Sequence, residues 1–111
     1  MSQVTTHVLD LATGRPAAGV AVVLERVGDA GDGGGVEQIA AARTGADGRV
    51  AELGPRSLPA GIYRLRFDTA AVHGGGFYPE IAISFRLADG EQHYHVPLLL
   101  GPWGYTTYRG S

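Results

Sequence analysis

The sequence predicts a single all-β domain, a sandwich of two antiparallel sheets, and three observations support this fold. Short runs rich in β-branched and aromatic residues recur along the chain, and these residue types favour pleated strands. Glycine, proline and aspartate separate the runs, as they do at the turns of a sandwich. The chain has 111 residues, enough for one core and too few for a second. We therefore assign residues 1–111 to one domain with at most one short helix.

The first half of the chain contains four strand-like runs. Glycine and proline in 14–19 predict a turn, and the glycines and aspartates of 28–35 predict a hairpin tip. A phosphate-binding loop is the alternative for the second segment, but no lysine or helix start follows it. The Asp47-Gly48 pair favours a tight turn. The expected strands are Val4 to Asp10, Val20 to Arg26 and Glu37 to Thr44, with a short edge strand from Arg49.

The second half contains four more runs, and their period of two indicates which face of each is apolar. In the run Glu80 to Leu87, large apolar residues alternate with small or polar ones, so one face belongs to the core. In the run His93 to Leu100, Tyr94 and every second residue after it form the better core face. His93 and His95 therefore point toward solvent, a partner or a site. The remaining predicted elements are strands over Gly61 to Asp68 and Tyr105 to Arg109, and one helical turn over 69–72.

Composition excludes several classes of function. The chain has no cysteine, which leaves neither a disulfide framework nor a thiolate zinc site. Its nine basic residues are all arginines, spread along a chain of net charge −2, so no nucleic-acid surface is predicted. No apolar stretch approaches membrane-spanning length, and no signal peptide precedes the first strand. We expect a cytoplasmic protein with no cofactor and no nucleic-acid or membrane partner.

The histidines and the carboxyl-terminal run contain the candidate chemistry. His93 and His95 form a His-x-His pair that could supply two metal ligands, but no further ligand is evident on that face, so no metal site is predicted. His93 and His73 are interpreted as surface histidines. The ending Tyr108-Arg109-Gly110-Ser111 follows directly on a strand-like run. Termini usually fray unless something holds them, so this ordered end is better explained by a site than by a tail.

Three segments of the chain carry a resemblance to a known family. They are Thr6-His7-Val8-Leu9-Asp10, the run from Glu91 to Leu100, and the ending Tyr108-Arg109-Gly110-Ser111. Together they resemble the 5-hydroxyisourate hydrolases, the transthyretin-like enzymes of urate breakdown. The resemblance covers nearly the whole chain, and the ending is its most specific part. It implies a transthyretin-like sandwich in which neighbouring strands bring His7, His95 and Tyr108 into one patch.

The resemblance also implies roles for individual residues. His7 and His95 match the family's paired histidines and would activate water and transfer protons. Arg49 follows an Asp-Gly turn, as the family's catalytic arginine does, and would bind the carbonyl or anionic edge of the substrate; Arg43 is the alternative for this role. The catalytic residues implied are His7, Arg49, His95 and Ser111, and the substrate-binding residues implied are Arg49, Tyr108, Arg109 and Ser111.

The implied reaction is hydrolytic opening of 5-hydroxyisourate at an acyl C–N bond, which gives 2-oxo-4-hydroxy-4-carboxy-5-ureidoimidazoline without a metal or cofactor. The implied assembly is a homotetramer, a dimer of dimers with the sites in a channel between subunits. A small-molecule carrier of the transthyretin type is one alternative, although that carrier has lysine, glutamate and threonine where this chain has His7, Arg49 and His95. A structural or carbohydrate-adhering module is another, and it would need neither histidine.

Overall fold

The computed structural model describes residues 2–28, 35–72, 76–88 and 92–110, and these residues contain strands and turns but no α-helix. The strands, in chain order, are β1 Val4–Asp10, β2 Arg15–Pro16, β3 Ala21–Val27, β4 Val36–Arg43, β5 Arg49–Val50, β6 Gly61–Asp68, β7 Glu80–Leu87, β8 Tyr94–Leu100 and β9 Tyr105–Thr107. Among the described residues, no helix is long and apolar enough to span a membrane.

The strands form two sheets. The first has the order β2-β1-β8-β9, with β5 also paired to β1, and the second has the order β4-β3-β6-β7. Every described pairing between strands is antiparallel except that of β1 with β8, which run parallel with Thr5 opposite His95. The sequence predicts antiparallel sheets throughout. The difference arises because 90 positions separate these two residues, so no tight hairpin sets the direction of one strand relative to the other.

The core lies between the two sheets and takes alternate residues from each strand. Val8 and Leu98 from the first sheet, and Leu24 and Phe67 from the second, are fully buried. Burying a side chain of this kind stabilises the fold by about 1.5–3 kcal/mol. Because successive side chains point to opposite faces of a sheet, residues that alternate with core residues lie on the outer faces. His95, between the buried Tyr94 and Val96, lies on the outer face of the first sheet.

All of the predicted strands are present, and their bounds are as predicted or shifted by one or two residues. The last strand ends at Thr107 rather than Arg109, and pairing resumes at an isolated bridge between Gly110 and His95. A two-residue strand, β2, forms within the segment predicted to be a turn, because Pro16 reaches back to pair with β1.

The turns also agree with the predictions where the structure describes them. The N–H group of Val72 donates to the carbonyl oxygen of Thr69 at 3.0 Å, which forms the single turn predicted there. The predicted hairpin tip closes with the N–H group of Gly28 donating to the carbonyl oxygen of Gly35 at 2.6 Å. Residues 29–34 of that tip lie outside the described residues.

Candidate active site

Three adjacent strands of the first sheet, β5, β1 and β8, carry the candidate residues on their outer face. Arg49 on β5 lies opposite His7 on β1, and Thr5 on β1 lies opposite His95 on β8. A shallow pocket of about 260 Å³ opens over this face. Its lining residues are Thr5, Thr6, Arg49, Val50, Ala51, His93 and His95. The sheet therefore brings together residues that are far apart in the sequence.

His95 has a half-buried ring with one nitrogen engaged by the protein. Its Nδ1 atom hydrogen-bonds with Thr5 Oγ1 at 2.8 Å, which leaves Nε2 as the nitrogen that can face a water or a substrate. Burial lowers the pKa of His95 below 6.5, and the charges of Arg49, His93 and His7 lower it further. The imidazole is therefore neutral near pH 7 and can accept a proton.

His7 lies on the same outer face as the pocket and opposite Arg49 in the sheet, although it is not among the lining residues. Its Nε2 atom is 2.9 Å from the carbonyl oxygen of Asp47. Because a carbonyl oxygen can only accept a hydrogen bond, Nε2 carries a hydrogen, and the neutral ring has its free lone pair on Nδ1. The two histidines thus present different nitrogens, Nδ1 in His7 and Nε2 in His95.

The predicted Asp-Gly turn fixes the point at which Arg49 enters the sheet. The Oδ1 atom of Asp47 accepts the N–H group of Arg49 at 3.0 Å, and the N–H group of Gly45 donates to the carbonyl oxygen of Arg49 at 3.0 Å. Gly48 has a φ of +77°, and a Cβ atom there would lie 2.5 Å from the carbonyl oxygen of Val8. Only glycine fits this position, because it tolerates positive φ and has no side chain to crowd β1.

Arg43, the alternative to Arg49, lies in the other sheet. It is at the end of β4, opposite Ala21, and its Nη1 atom donates to the carbonyl oxygen of Gly19 at 3.0 Å. Both site histidines belong to the first sheet. The geometry therefore brings Arg49, and not Arg43, beside the histidines.

Within one chain, the side chains of Tyr108 and Arg109 lie in a different pocket from His93 and His95. Tyr108 and Arg109 line a second pocket of about 410 Å³ between β7 and the strands β8 and β9. The guanidinium carbon of Arg109 is 4.4 Å from the ring centroid of Tyr94, and its Nη2 atom donates to Gln92 Oε1 at 3.0 Å. Tyr108 is 56% exposed. Within one chain these two side chains do not join the histidine pocket, and Ser111 lies outside the described residues.

Thr5 and His93 are pocket residues that the sequence analysis did not select. The Oγ1 atom of Thr5 lies 2.9 Å from His93 Nε2 and 2.8 Å from His95 Nδ1. His93, interpreted as a surface histidine, is exposed but also lines the pocket. The period of two places Thr5 on the same face as His7, but only the parallel register of β1 with β8 places it beside the other two histidines.

The His-x-His pair is arranged around a hydroxyl group. The rings of His93 and His95 are nearly parallel, with 6.4 Å between centroids and 21° between planes, and each directs a nitrogen at Thr5 Oγ1. Within the described part of the chain, no group of three or more histidine, cysteine or carboxylate side chains is placed to hold a metal ion. His73 lies outside that part.

Known proteins share this two-sheet sandwich and match the chain in sequence. The family described as HIUase/Transthyretin matches residues 4–110. The chain belongs to this family, and the resemblance drawn from its three segments is confirmed.

The similar proteins include 5-hydroxyisourate hydrolases and a transthyretin. The 5-hydroxyisourate hydrolase of Caulobacter vibrioides is 42% identical over 119 aligned positions that cover 100% of each chain. The structure of the Klebsiella pneumoniae 5-hydroxyisourate hydrolase matches with a TM-score of 0.80 at 39% identity, covering 97% of this chain and 98% of that one. The transthyretin of Sparus aurata matches with a TM-score of 0.88 at 32% identity, covering 99% and 97%. The fold is common to both kinds of protein, so the site residues must distinguish them.

Proposed function

We propose that this protein is a 5-hydroxyisourate hydrolase of urate breakdown, which opens the ring of 5-hydroxyisourate with water. The observation that carries the proposal is the position of His7, Arg49 and His95 on one outer sheet face. Its second support is the full-length similarity to relatives that are named as this enzyme. The product is 2-oxo-4-hydroxy-4-carboxy-5-ureidoimidazoline.

Hydrolysis of an acyl C–N bond needs a base for the water, a stabilised oxyanion and a proton for the leaving nitrogen. We assign the first task to His95 Nε2, because the lowered pKa of His95 keeps this ring neutral near pH 7. Arg49 binds the carbonyl or anionic edge of the substrate, since a guanidinium offers planar, paired donors. His7 donates the proton to the leaving nitrogen from Nδ1 when its ring carries hydrogens on both nitrogens; it is left neutral, with its Nε2–H group on the carbonyl oxygen of Asp47, and takes up a new Nδ1 proton from solvent.

The carboxyl-terminal residues Tyr108, Arg109 and Ser111 complete the proposed site. Tyr108 and Ser111 shape the pocket and hydrogen-bond with the substrate, and Ser111 acts beside the catalytic residues. Arg109 fixes the terminus, a role supported by its stacking on Tyr94 and its hydrogen bond to Gln92. A substrate contact by Tyr108 or Arg109 requires a neighbouring subunit, because within one chain both side chains line the second pocket.

We further propose that the protein assembles as a homotetramer, a dimer of dimers. The edge strands β7 and β9 each have one side without a paired strand among the described residues, and open edges favour pairing with another chain. Exposed aromatic side chains near these strands add apolar surface that a partner can cover: Phe77, Trp103, Tyr105 and Tyr108. Light scattering at micromolar concentration should give the mass of four chains, and a fully active monomer would contradict this assembly.

The proposed location is the cytoplasm. A chain without cysteine is compatible with a reducing compartment. Fractionation of the source cells, with detection of the protein by antibody, tests this location. Recovery of the protein outside the cytoplasmic fraction would contradict it.

The enzyme proposal is tested with purified protein and freshly generated 5-hydroxyisourate, followed by its ultraviolet absorbance. The protein should speed the decay, and added chelator should leave the rate unchanged because no metal takes part in the proposed mechanism. A decay that is indifferent to the protein contradicts the proposal. Inhibition by chelator would instead support a metal bound at the His-x-His pair.

A small-molecule carrier of the transthyretin type is the second candidate. The observation that favours it is the TM-score of 0.88 to the Sparus aurata transthyretin, against 0.80 to the Klebsiella enzyme. A carrier would bind an aromatic ligand stoichiometrically in calorimetry and leave the decay of 5-hydroxyisourate unchanged. Turnover of 5-hydroxyisourate by the purified protein therefore distinguishes a hydrolase from a carrier.

A further inference from the structure

A single hydroxyl group bridges two histidines of the pocket. Thr5 Oγ1 is 2.9 Å from His93 Nε2 and 2.8 Å from His95 Nδ1. A hydroxyl group has one hydrogen to donate and lone pairs to accept others. When both hydrogen bonds form, at most one of these two nitrogens can be without a hydrogen. The bridge therefore couples the protonation of His95 to that of His93.

We propose that Thr5 and His93 are positioning residues that set the tautomer of His95 and carry its proton to solvent. The inference rests on the proposed hydrolase function, in which His95 Nε2 takes a proton from water. It adds two residues to that site and assigns a path for the proton.

The reactive form has a defined order of hydrogens. His95 Nδ1–H donates to Thr5 Oγ1, and the Thr5 hydroxyl donates to His93 Nε2, so that the neutral His93 carries its own hydrogen on Nδ1. This order leaves His95 Nε2 with a free lone pair, as a general base requires. The opposite order, with the Thr5 hydroxyl donating to His95 Nδ1, places the hydrogen on Nε2 and blocks the base.

The proton movements balance over one catalytic cycle. Water gives a proton to His95 Nε2, and its hydroxide adds to the substrate's acyl carbon. His95 Nδ1–H then passes to Thr5 Oγ1 as the Thr5 hydroxyl hydrogen passes to His93 Nε2. His93 loses its Nδ1 hydrogen to solvent, and all three groups are neutral again. His95 now carries its hydrogen on Nε2. A solvent proton taken up at His93 Nδ1 starts the reverse movement, and His95 Nε2–H passes to a water molecule that replaces the product, which restores the base.

The burial of the three groups suits this direction of transfer. Thr5 is 6% exposed, His95 is half-buried and His93 is exposed. A positive charge on His95 is disfavoured by burial and by Arg49, His93 and His7, which are the causes of its lowered pKa. His93 is the ring of the pair that reaches water, so a proton passed to it can leave.

The protein also holds the outer histidine in place. The N–H group of Tyr94 donates to the carbonyl oxygen of Gln3 at 2.8 Å, and Gln3 Nε2 donates to the carbonyl oxygen of Gln92 at 3.0 Å. These bonds tie both neighbours of His93 to the start of β1, beside Thr5.

The first arm of the test compares three variants. Thr5→Val removes the hydroxyl group and keeps the shape of the side chain, and Thr5→Ser keeps the hydroxyl group. Thr44→Val is the control, because it removes a hydroxyl group of similar burial whose hydrogen-bond partners, Ala17 and Val20, are not pocket residues. Thr5→Val should lower kcat about 10-fold or more, because it removes part of an acid–base contribution of about 10²–10⁴-fold, with KM changed by about twofold or less. Thr5→Ser should recover most of kcat, and Thr44→Val should retain it.

The second arm addresses the proton path. His93→Gln retains a partner for the Thr5 hydroxyl group but cannot take up and release a proton. Its kcat should fall, and imidazole buffer should restore part of the loss in proportion to its concentration. Wild-type turnover should not depend on imidazole. A His93→Gln variant with wild-type kcat at every buffer concentration would overturn the relay.

The third arm does not depend on activity. Nitrogen-15 spectra of the folded wild-type protein should show neutral His95 with hydrogen on Nδ1, and Thr5→Val should give a mixture of both tautomers. Hydrogen on Nε2 in the wild type, or an unchanged tautomer in Thr5→Val, would overturn the proposed order. If the wild-type protein does not speed 5-hydroxyisourate decay, the hydrolase proposal fails, and the relay's catalytic role fails with it. Normal wild-type turnover with an unaffected Thr5→Val variant overturns the relay alone.

Discussion

Gly110 lies directly against the imidazole ring of His95. Its N–H group donates to the carbonyl oxygen of His95 at 2.7 Å, and the two residues form an isolated β-bridge. A Cβ atom at Gly110 would be 2.7 Å from His95 Cδ2 and 3.3 Å from its Cγ. Any side chain at position 110 would therefore displace the ring of His95 from its present position.

Gly110→Ala should displace the ring of His95 and lower kcat. Misplacing a catalytic group by about 1 Å can cost 10²-fold, so we expect a loss of at least about 10-fold in the decay assay. Gly104→Ala is the matched control, because a Cβ atom there meets nothing within 4 Å. Equal rates for the two variants would show that the contact with Gly110 does not position His95.

Gly48→Ala should destabilise the turn that presents Arg49. Gly48 and Gly19 both have positive φ, but only at Gly48 would a Cβ atom meet the backbone, at 2.5 Å from the carbonyl oxygen of Val8. Gly19→Ala should cost about 1–2 kcal/mol of unfolding free energy from strain alone. Gly48→Ala should cost at least about 1 kcal/mol more from crowding. Urea unfolding measures both, and equal losses would refute the crowding argument.

Arg49→Gln should raise the pKa of His95. The charge of Arg49 is the second cause of the lowered pKa, after burial, so its removal favours the protonated ring. Arg43→Gln is the control, since Arg43 lies in the other sheet and donates to Gly19. Proton NMR titration of the His95 ring measures the shift. A His95 pKa that moves equally in both variants would mean that Arg49 has no special proximity to this ring.

The pH dependence of turnover should follow His95. A base must be neutral, and the pKa of His95 lies below 6.5, so kcat should be level at pH 7 and fall as the pH drops through that lowered pKa. In Arg49→Gln, any residual activity should begin to fall at a higher pH. The measurement is kcat across an acid pH series, and a fall that begins well above pH 6.5 would contradict the assignment of His95 as the base.

The sequence could predict the fold because its period of two separates core from surface residues strand by strand. Tyr94 and Val96 were assigned to the core and His95 to the outer face, and their burial follows that order. The Asp47-Gly48 pair likewise predicted the turn before Arg49, since that turn needs a residue with positive φ.

What the sequence could not predict depends on pairing between distant strands. Thr5 was not selected because its neighbours across the sheet follow from the parallel register of β1 with β8, and no local pattern encodes that register. His93 is interpreted as a surface residue because its hydrogen bond with Thr5 depends on the same register of β1 with β8. Tyr108 and Arg109 are recognised by resemblance, but their positions in the second pocket follow from the pairing of β9 with β8 and from the packing of β7 beside them, which no local pattern encodes.

In the proposed mechanism, His7 and His95 open the ring of 5-hydroxyisourate from one outer sheet face. The most direct test is the first-order rate of its ultraviolet absorbance loss with wild-type protein, His7→Ala, His95→Ala and the Arg43→Ala control at equal concentration. Loss of a proton-transfer group should lower the rate about 10²-fold or more in each histidine variant, with Arg43→Ala near the wild-type rate. Wild-type rates in both histidine variants would contradict the account.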